Sequence, residues 1–340
     1  SHPERAWDLD GEGPAVVKPV LCGGSNSLSV RDLFGGVMMV TDTCPVCGSA
    51  DAHPVVSQRG FSYVRCHRCQ AAYIAPMPSA EEVANIYQDL SYFAGNTGIG
   101  YGDYVAMHKV LAPHFRRRLW ILGRWLPERG RLLDVGCADG FFLELARADG
   151  WEVAGVEISE PMAEETARRL GVPIVTSIEK LPKDAVYDAI TLWEVVEHFR
   201  EPVAELRRFA QRLRPGGALM LSTPNVGHWQ AMNAPETWNL FCPPAHLVLF
   251  TEVSLKVALE KAGYSGIRIW KVSPLPPLPK WLEKSTAPLA RRLADGSARP
   301  WRLARALWLA VRLLGWAWQR LTRPQEDIFA TLEAMAWRPE

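Results

Sequence analysis

The chain has 340 residues, of which 48% are hydrophobic and 22% charged, so it can bury a full core and contain more than one structural unit. The formal net charge is +1, which excludes a strong overall attraction to nucleic acid. The sequence shows no signal peptide and no apolar stretch long enough for a membrane span. We therefore expect a cytoplasmic protein.

Composition and periodicity change several times along the chain and predict five segments. The first is expected to be disordered, the second small and cysteine-rich, the third a helical cap or linker, the fourth an α/β domain, and the fifth a helical insertion into that domain. In this order, the segments are 1–38, 39–78, 79–130, 131–273 with 326–340, and 274–325.

Four of the seven cysteines form two Cys-x-x-Cys pairs, Cys44 with Cys47 and Cys66 with Cys69, and 18 residues separate the pairs. Each pair can turn two thiolates toward one ion, and four thiolates complete a closed tetrahedral zinc site. A lobe this small has little core of its own, so metal binding would supply its folding energy. The spacing predicts a zinc ribbon in a reducing compartment.

From residue 131 onward, short apolar runs alternate with amphipathic helical patterns, which is typical of a doubly wound α/β domain. Seven strands are predicted, near residues 131–136, 152–157, 172–176, 188–193, 217–223, 266–272 and 327–336.

The first of these strands runs directly into a glycine turn and then a helix, the arrangement of a nucleotide site. Gly136 and Gly140 bracket the turn, whereas Ala138 stands where a dinucleotide fingerprint would have its second glycine. Asp134 and Asp139 would repel a phosphate but suit a ligand with an ammonium group. Glu157 lies about twenty residues beyond the turn, where a carboxylate can bind both ribose hydroxyls.

This pattern resembles motif I and the following acidic residue of class I S-adenosylmethionine-dependent methyltransferases. The resemblance implies a Rossmann-like α/β fold with a seven-stranded, mostly parallel sheet whose last strand is antiparallel, and S-adenosylmethionine as cofactor. The residues that we expect at the cofactor, from this resemblance and from strand ends that line the crevice, are Asp134, Gly136, Cys137, Ala138, Asp139, Gly140, Glu157, Ile158, Ser177, Ile178, Leu192, Trp193 and Tyr104.

A zinc ribbon followed by Tyr73-Ile74-Ala75-Pro76-Met77-Pro78 and by an aromatic stretch from Tyr92 to Tyr104 resembles zinc-ribbon class I methyltransferases of glycan and natural-product pathways. The resemblance covers about residues 40–275 and implies that the Tyr92–Tyr104 stretch covers the cofactor. Aromatic packing alone would also explain this stretch.

Glu194, Glu197 and His198 follow the end of the fourth predicted strand. Their spacing would place all three on one face of a helical turn. With His246 they resemble the divalent-metal site of small-RNA 2′-O-methyltransferases and ubiquinone-pathway O-methyltransferases. Such an ion would lower the pKa of an attacking hydroxyl. His198 could instead act as a metal-free general base, or the residues could be structural. His228 is a second candidate in the acceptor pocket, although a place in a solvated loop would explain it equally well.

The insertion contains a helical pattern over residues 300–321, with arginines on a narrow face and tryptophan and leucine over most of the rest. The pattern suits an interfacial helix on the cytoplasmic face of a membrane. It equally suits a lid over an apolar substrate, a helix packed on the core, or an oligomer interface.

The predicted reaction is O-methylation of a small-molecule, glycan or lipid-linked hydroxyl, with Glu197, His198, His246 and His228 as candidates for the reacting site. RNA methylation, C-methylation of a nucleotide sugar or other natural-product intermediate, and non-catalytic binding are the alternatives. A near-neutral chain without a phosphate-tracking basic stripe disfavours nucleic acid as a partner.

Overall fold

The computed structural model describes residues 42–79, 81–83, 104–272, 285–286, 288–289, 301–322 and 325–340. The predicted disordered segment 1–38 lies outside the described residues, as does nearly all of the Tyr92–Tyr104 stretch.

The cysteine-rich segment forms three antiparallel strands, β1 (Ala52–Gln58), β2 (Phe61–Cys66) and β3 (Ala72–Ile74). A fourth strand of the same sheet comes from far along the chain, because β9 (Val248–Leu249) pairs antiparallel with β3. The ribbon therefore shares a sheet with the α/β domain.

The larger sheet has seven strands, as the sequence predicts. They are β4 (Arg131–Val135), β5 (Glu152–Val156), β6 (Ile174–Val175), β7 (Tyr187–Trp193), β8 (Leu213–Pro224), β10 (Ser265–Val272) and β11 (Thr331–Trp337). Their spatial order is β10-β11-β8-β7-β4-β5-β6. Strands β4 to β8 are parallel, and β11 runs antiparallel to both of its neighbours, β8 and β10. The predicted Rossmann-like fold with an antiparallel last strand is confirmed.

Helices connect the strands and cover both faces of the sheet. They are α1 (Tyr104–Trp125), α2 (Phe141–Ala148), α3 (Glu160–Leu170), α4 (Pro202–Arg212), α5 (Trp229–Asn233), α6 (Glu252–Lys261) and α7 (Trp301–Thr322). Short 3-10 turns cover Ile178–Lys180, Val196–His198 and Pro235–Thr237. The Thr251 hydroxyl accepts a hydrogen bond from the Ser254 N–H and thereby caps α6.

Two apolar clusters form the core, one on each face of the large sheet. Phe115 and Leu119 of α1 and Phe142 of α2 pack on one face. The other cluster runs without a break from the ribbon through Tyr63 to the strands and to Phe250. Because burial of apolar side chains is the main stabilising term, the ribbon and this face of the sheet stabilise each other.

Helix α7 lies between β10 and β11 in the chain, where the sequence predicts a helical insertion. Its Trp308 is buried, but Leu303, Leu314 and Leu321 are 67%, 71% and 79% exposed. None of the helices in the described part of the chain combines the length and the apolar character needed to cross a membrane.

Candidate functional site

The loop between β4 and α2, residues 136–140, combines three residues in the left-handed region, with φ of 73° at Gly136, 46° at Ala138 and 76° at Gly140. A Cβ atom at Gly136 would lie 2.6 Å from Cγ2 of Val195, so this position needs glycine for space as well as for its backbone angle. The loop leads directly into the N-terminus of α2, where free N–H groups are available to a ligand.

Glu157, directly after β5, holds this loop from the neighbouring strand. Its Oε2 accepts a hydrogen bond of 2.9 Å from the Ala138 N–H, and its Oε1 accepts one of 2.9 Å from the Ser159 N–H. Burial raises the pKa of Glu157, and the two backbone hydrogen bonds oppose that shift. The carboxylate that is predicted to bind ribose thus also fixes the glycine turn.

The two acids of the turn have different partners. Asp134 is buried and accepts a hydrogen bond of 2.6 Å from the Thr191 hydroxyl, while burial raises its pKa to about 8. Asp139 lies 2.6 Å from Nε2 of His108 through one oxygen and accepts from the Phe141 N–H through the other. His108 therefore joins α1 to the cofactor loop, a contact that sequence analysis did not identify because the helical pattern alone does not single out this histidine.

The predicted cofactor residues at the end of β7 face the interior of the protein. Leu192 is fully buried in the core. The Trp193 indole packs edge-to-face on Phe142 and lies 4.4 Å from the guanidinium carbon of Arg118. Arg118 in turn donates a hydrogen bond of 2.9 Å to Glu333, so the partly buried Trp193 lies in a cation–π contact between α1 and α2.

The remaining predicted cofactor residues follow β4, β5 or β6, or begin α1. Cys137 is buried within the glycine turn, and Ile158 is about half exposed just beyond β5. Ser177 directly precedes the 3-10 turn over Ile178–Lys180, and Ile178 itself is buried. Tyr104 begins α1, but its side chain lies outside the described residues.

Beyond β7, three of the four predicted metal ligands come together. Glu197, His198 and His246 each offer a ligand atom, and these atoms all lie within 4.8 Å of one another. Glu194 does not join this group, contrary to the prediction of one shared helical face. Glu194 has a φ of 56°, in the left-handed region, at the end of β7. The 3-10 turn that carries Glu197 and His198 begins only at Val196, so the three residues do not share one helical turn.

Each member of this group is oriented by a second contact. Nδ1 of His198 donates to the Ala245 carbonyl and Nδ1 of His246 to the Leu240 carbonyl, both at 2.8 Å. The Thr223 hydroxyl donates to Oε2 of Glu197 at 2.9 Å. Oε1 of Glu197 is buried and has no hydrogen-bond partner among the described residues. Thr223 was not predicted, although its place at the carboxyl end of β8 is a usable signal.

Burial determines the charge of these groups. It lowers the pKa of His198 to about 3, with a smaller contribution from the neighbouring His246, and it lowers the pKa of His246 to about 4. Both imidazoles are therefore neutral at pH 7 and suited to be metal ligands. Burial, and secondarily the nearby Glu194 carboxylate, raises the pKa of Glu197 well above its ordinary value.

His228, the further candidate for the acceptor pocket, lies apart from this group. Its Nδ1 accepts a hydrogen bond from the Gln230 N–H, so it caps the N-terminus of α5. The side chain is buried, and burial lowers the pKa of His228 to about 4. The structure thus gives His228 a local helix-capping contact.

The four ribbon cysteines form the second group that could hold a metal ion. The Sγ atoms of Cys44 and Cys69 are 3.6 Å apart, and those of Cys47 and Cys66 are 3.5 Å apart. Four sulfurs at ~2.3 Å from one zinc ion are separated by about 3.8 Å. The residues therefore fit a tetrahedral zinc site with a small outward adjustment.

Comparison with known proteins shows that part of the chain is similar to methyltransferases. Residues 107–269 match the family model described as a methyltransferase domain. A ubiquinone biosynthesis O-methyltransferase of Xanthomonas axonopodis pv. citri is 35% identical over 115 residues, which are 31% of this chain and 48% of that protein. A ubiquinone biosynthesis O-methyltransferase of Aliivibrio fischeri is 27% identical over 161 residues, which are 40% of this chain and 67% of that protein.

Among solved structures, phosphoethanolamine N-methyltransferase 2 of Haemonchus contortus in complex with S-adenosyl-L-methionine has a TM-score of 0.49. It is 16% identical in sequence, and the match covers 79% of this chain and 62% of that one. The chain spans about half the length of the first of the ubiquinone-pathway relatives.

The family match includes the glycine turn, Glu157 and the Glu197–His198 turn, and it coincides with most of the seven-stranded sheet. Over residues 107–269 the chain is similar to the methyltransferase-domain family, and its sheet has the strand order and the antiparallel last strand of a class I S-adenosylmethionine-dependent methyltransferase.

Proposed function

We propose that this protein transfers a methyl group from S-adenosylmethionine to a hydroxyl oxygen of a small-molecule acceptor, beside a divalent ion held by Glu197, His198 and His246. Two observations carry the proposal: these three side chains converge, and Oε1 of Glu197 is buried without a hydrogen-bond partner among the described residues. A buried carboxylate oxygen without a partner is costly, and a cation would satisfy it. The names of the ubiquinone-pathway relatives support oxygen as the methylated atom.

The donor set fits a metal ion, and it favours one class of metal. Two imidazole nitrogens and one carboxylate oxygen suit a first-row transition ion better than Mg²⁺, which prefers oxygen ligands. The Nδ1 hydrogen bonds of both histidines and the Thr223 contact are the outer contacts that usually orient such ligands. When bound, such an ion lowers the pKa of a hydroxyl that coordinates to it.

The chain's own contribution is positioning. The cofactor loop follows β4 and the three-residue group follows β7, and these strands are hydrogen-bonded neighbours. Cofactor and acceptor would therefore lie side by side at one edge of the sheet. In the transfer, the acceptor oxygen forms a bond to the methyl carbon while the sulfur–methyl bond breaks. The sulfonium becomes a thioether, and the acceptor hydroxyl loses its proton to water. In-line alignment supplies most of the acceleration.

The metal-free alternative, with His198 as general base, has less support. A base works best when its pKa lies near the working pH, whereas burial lowers the pKa of His198 to about 3. The Nδ1–H group is already committed to the Ala245 carbonyl. This hydrogen bond leaves Nε2 available in either role, so it is the lowered pKa that favours a neutral metal ligand over a proton acceptor.

We further propose that the ribbon cysteines bind one structural zinc ion. The four cysteines are buried or nearly so, and together they offer four sulfur ligands. Such a closed site has no open position for a substrate, so its role is in folding.

The test combines metal analysis with product detection on the full chain. Mass spectrometry of the wild type, offered Mn²⁺, Fe²⁺, Ni²⁺ or Mg²⁺, should find one zinc and one second ion. Glu197→Gln should retain only the zinc, with unchanged calorimetric binding of S-adenosylmethionine. Formation of S-adenosylhomocysteine with 3,4-dihydroxybenzoate, but not with 4-hydroxybenzoate, would support an ion that binds two neighbouring hydroxyls. One zinc in both proteins under every condition would overturn the second metal site.

A further inference from the structure

The ribbon reaches across the molecule to the segment that carries His246. The N–H of Ile74 in β3 donates a 3.0 Å hydrogen bond to the Leu247 carbonyl, and Leu247 in turn donates through its N–H to the Glu197 carbonyl at 2.8 Å. Leu247 therefore connects the ribbon to the turn that bears Glu197 and His198. The β3–β9 pairing continues this contact through Ala72 with Leu249 and Tyr73 with Val248.

Tyr63, in the middle of β2, contacts His246 itself. Its hydroxyl donates to the backbone carbonyl of His246 at 2.5 Å. The ring is fully buried and lies 4.8 Å, between centroids, from Phe241 at the other end of the same loop. Nδ1 of His246 donates back to the Leu240 carbonyl, so this hydrogen bond joins the two ends of the loop over residues 240–246. Tyr63 packs against that loop.

Tyr63 lies on the same strand as a member of the cysteine group. Cys66 ends the same strand, three residues further along, and its sulfur lies in the predicted zinc site. Two further contacts anchor the ribbon beside the α/β domain, from Lys261 to the Cys47 carbonyl at 2.9 Å and from Arg65 to the Val226 carbonyl at 3.4 Å.

We propose that Tyr63 is a positioning residue for the reacting site, and that the ribbon holds His246 in reach of Glu197 and His198 through the Tyr63 hydroxyl and the β3–β9 pairing. The inference rests on the proposed function, in which these three side chains bind a metal ion. It assigns the ribbon a second role, because its zinc would stabilise the ligand set of a different ion across the interface.

The experiment compares Tyr63→Phe with Tyr73→Phe in the zinc-loaded full chain. Tyr73 is a matched control, since it is an equally buried ribbon tyrosine whose hydroxyl points to the Asp42 carbonyl at 3.4 Å instead of the His246 loop. Mn²⁺ binding is followed by electron paramagnetic resonance, and zinc content and S-adenosylmethionine binding are measured on the same samples. Removal of the hydroxyl leaves a buried carbonyl with one partner fewer, so Tyr63→Phe should bind Mn²⁺ about tenfold more weakly.

Zinc content and cofactor affinity should stay within twofold of the wild type in both variants, and Tyr73→Phe should bind Mn²⁺ like the wild type. Equal Mn²⁺ affinity in Tyr63→Phe and the wild type would overturn the positioning role. A fall of the same size in Tyr73→Phe would also overturn it, because the effect would then belong to the ribbon in general.

Hydrogen exchange separates this inference from the metal proposal. If the wild type binds no Mn²⁺, the second metal site is wrong, and amide exchange over residues 240–250 then decides the positioning role. Tyr63→Phe should exchange faster there than both the wild type and Tyr73→Phe, with residues 134–140 unchanged. Unchanged exchange over 240–250 would overturn the inference.

Discussion

The cofactor loop and the three-residue group beyond β7 are built in opposite ways. The loop is one continuous run, 134–140, and neighbouring elements add single contacts to it, such as Glu157 after β5 and His108 from α1. The group of Glu197, His198 and His246 joins two segments that are almost fifty residues apart in the chain. A third segment, the ribbon, supports the second of them through Tyr63.

This difference predicts which substitutions affect each half of the site. Local backbone geometry, set by glycines and a helix N-terminus, determines the cofactor loop. Long-range packing determines the acceptor side, so changes far from the group should disturb metal binding while cofactor binding persists. Four predictions test this separation, ordered from the largest expected effect to the smallest.

Loss of the ribbon metal should have the largest effect. The double substitution Cys66→Ser with Cys69→Ser removes two of the four predicted ligands, and we expect a loss of about 4 kcal/mol of stability, or roughly 10 °C in Tm. Mass spectrometry and calorimetric melting measure the zinc and the Tm. Ser57→Ala, in the same sheet, is the control and should keep both. Unchanged zinc content in the double variant would contradict a zinc site in the ribbon.

Glu197→Gln should abolish the second metal site and spare the cofactor loop. We expect S-adenosylhomocysteine formation to fall by at least about 100-fold, equivalent to about 3 kcal/mol, with cofactor affinity within twofold of the wild type. Glu194→Gln is the matched control because its carboxylate lies outside the group. It should retain the second ion, and an equal loss of metal in both variants would restore Glu194 as a ligand.

Glu157→Gln should give the reverse pattern, with weakened cofactor binding and unchanged metal content. The Glu157 carboxylate accepts hydrogen bonds from the N–H groups of Ala138 and Ser159. In the glutamine variant, the side-chain NH₂ group faces one of these N–H donors and that hydrogen bond is lost. A loss of about 2 kcal/mol corresponds to roughly 30-fold weaker binding of S-adenosylmethionine by calorimetry. Glu160→Gln, an exposed change three residues further on, should bind normally. Normal binding by Glu157→Gln would remove Glu157 from the cofactor site.

The buried Asp134 should affect how stability depends on pH. Its pKa is raised from 3.8 to about 8 by burial. Between pH 4 and 8 the unfolded chain therefore releases a proton that the folded chain keeps, and stability falls as the pH rises, by at most about 1.4 kcal/mol per pH unit. Asp134→Asn should flatten this slope in urea unfolding across pH 4 to 8. The exposed Asp184→Asn should leave it unchanged, and equal slopes in all three proteins would mean that Asp134 is ionised in the folded state.

Sequence alone determined the features that depend on neighbours along the chain. The seven strands, the antiparallel last strand and the helix of the insertion follow from hydrophobic periodicity and from the family pattern, because each element must bury one face. The glycine turn and Glu157 follow from backbone angles and from a fixed spacing along the chain. The spacing of the two Cys-x-x-Cys pairs likewise predicts that their four sulfurs lie close together.

Only the tertiary structure decided which polar side chains act together beyond β7. The sequence spacing placed Glu194 with Glu197 and His198, but Glu194 itself has a left-handed backbone, and the turn that carries the other two begins only at Val196. Thr223, the Ala245 and Leu240 carbonyls and the Tyr63 hydroxyl come from other strands and loops. Such contacts depend on how distant elements pack and not on a local period, so no pattern within one segment could show that the ribbon supports the reacting site.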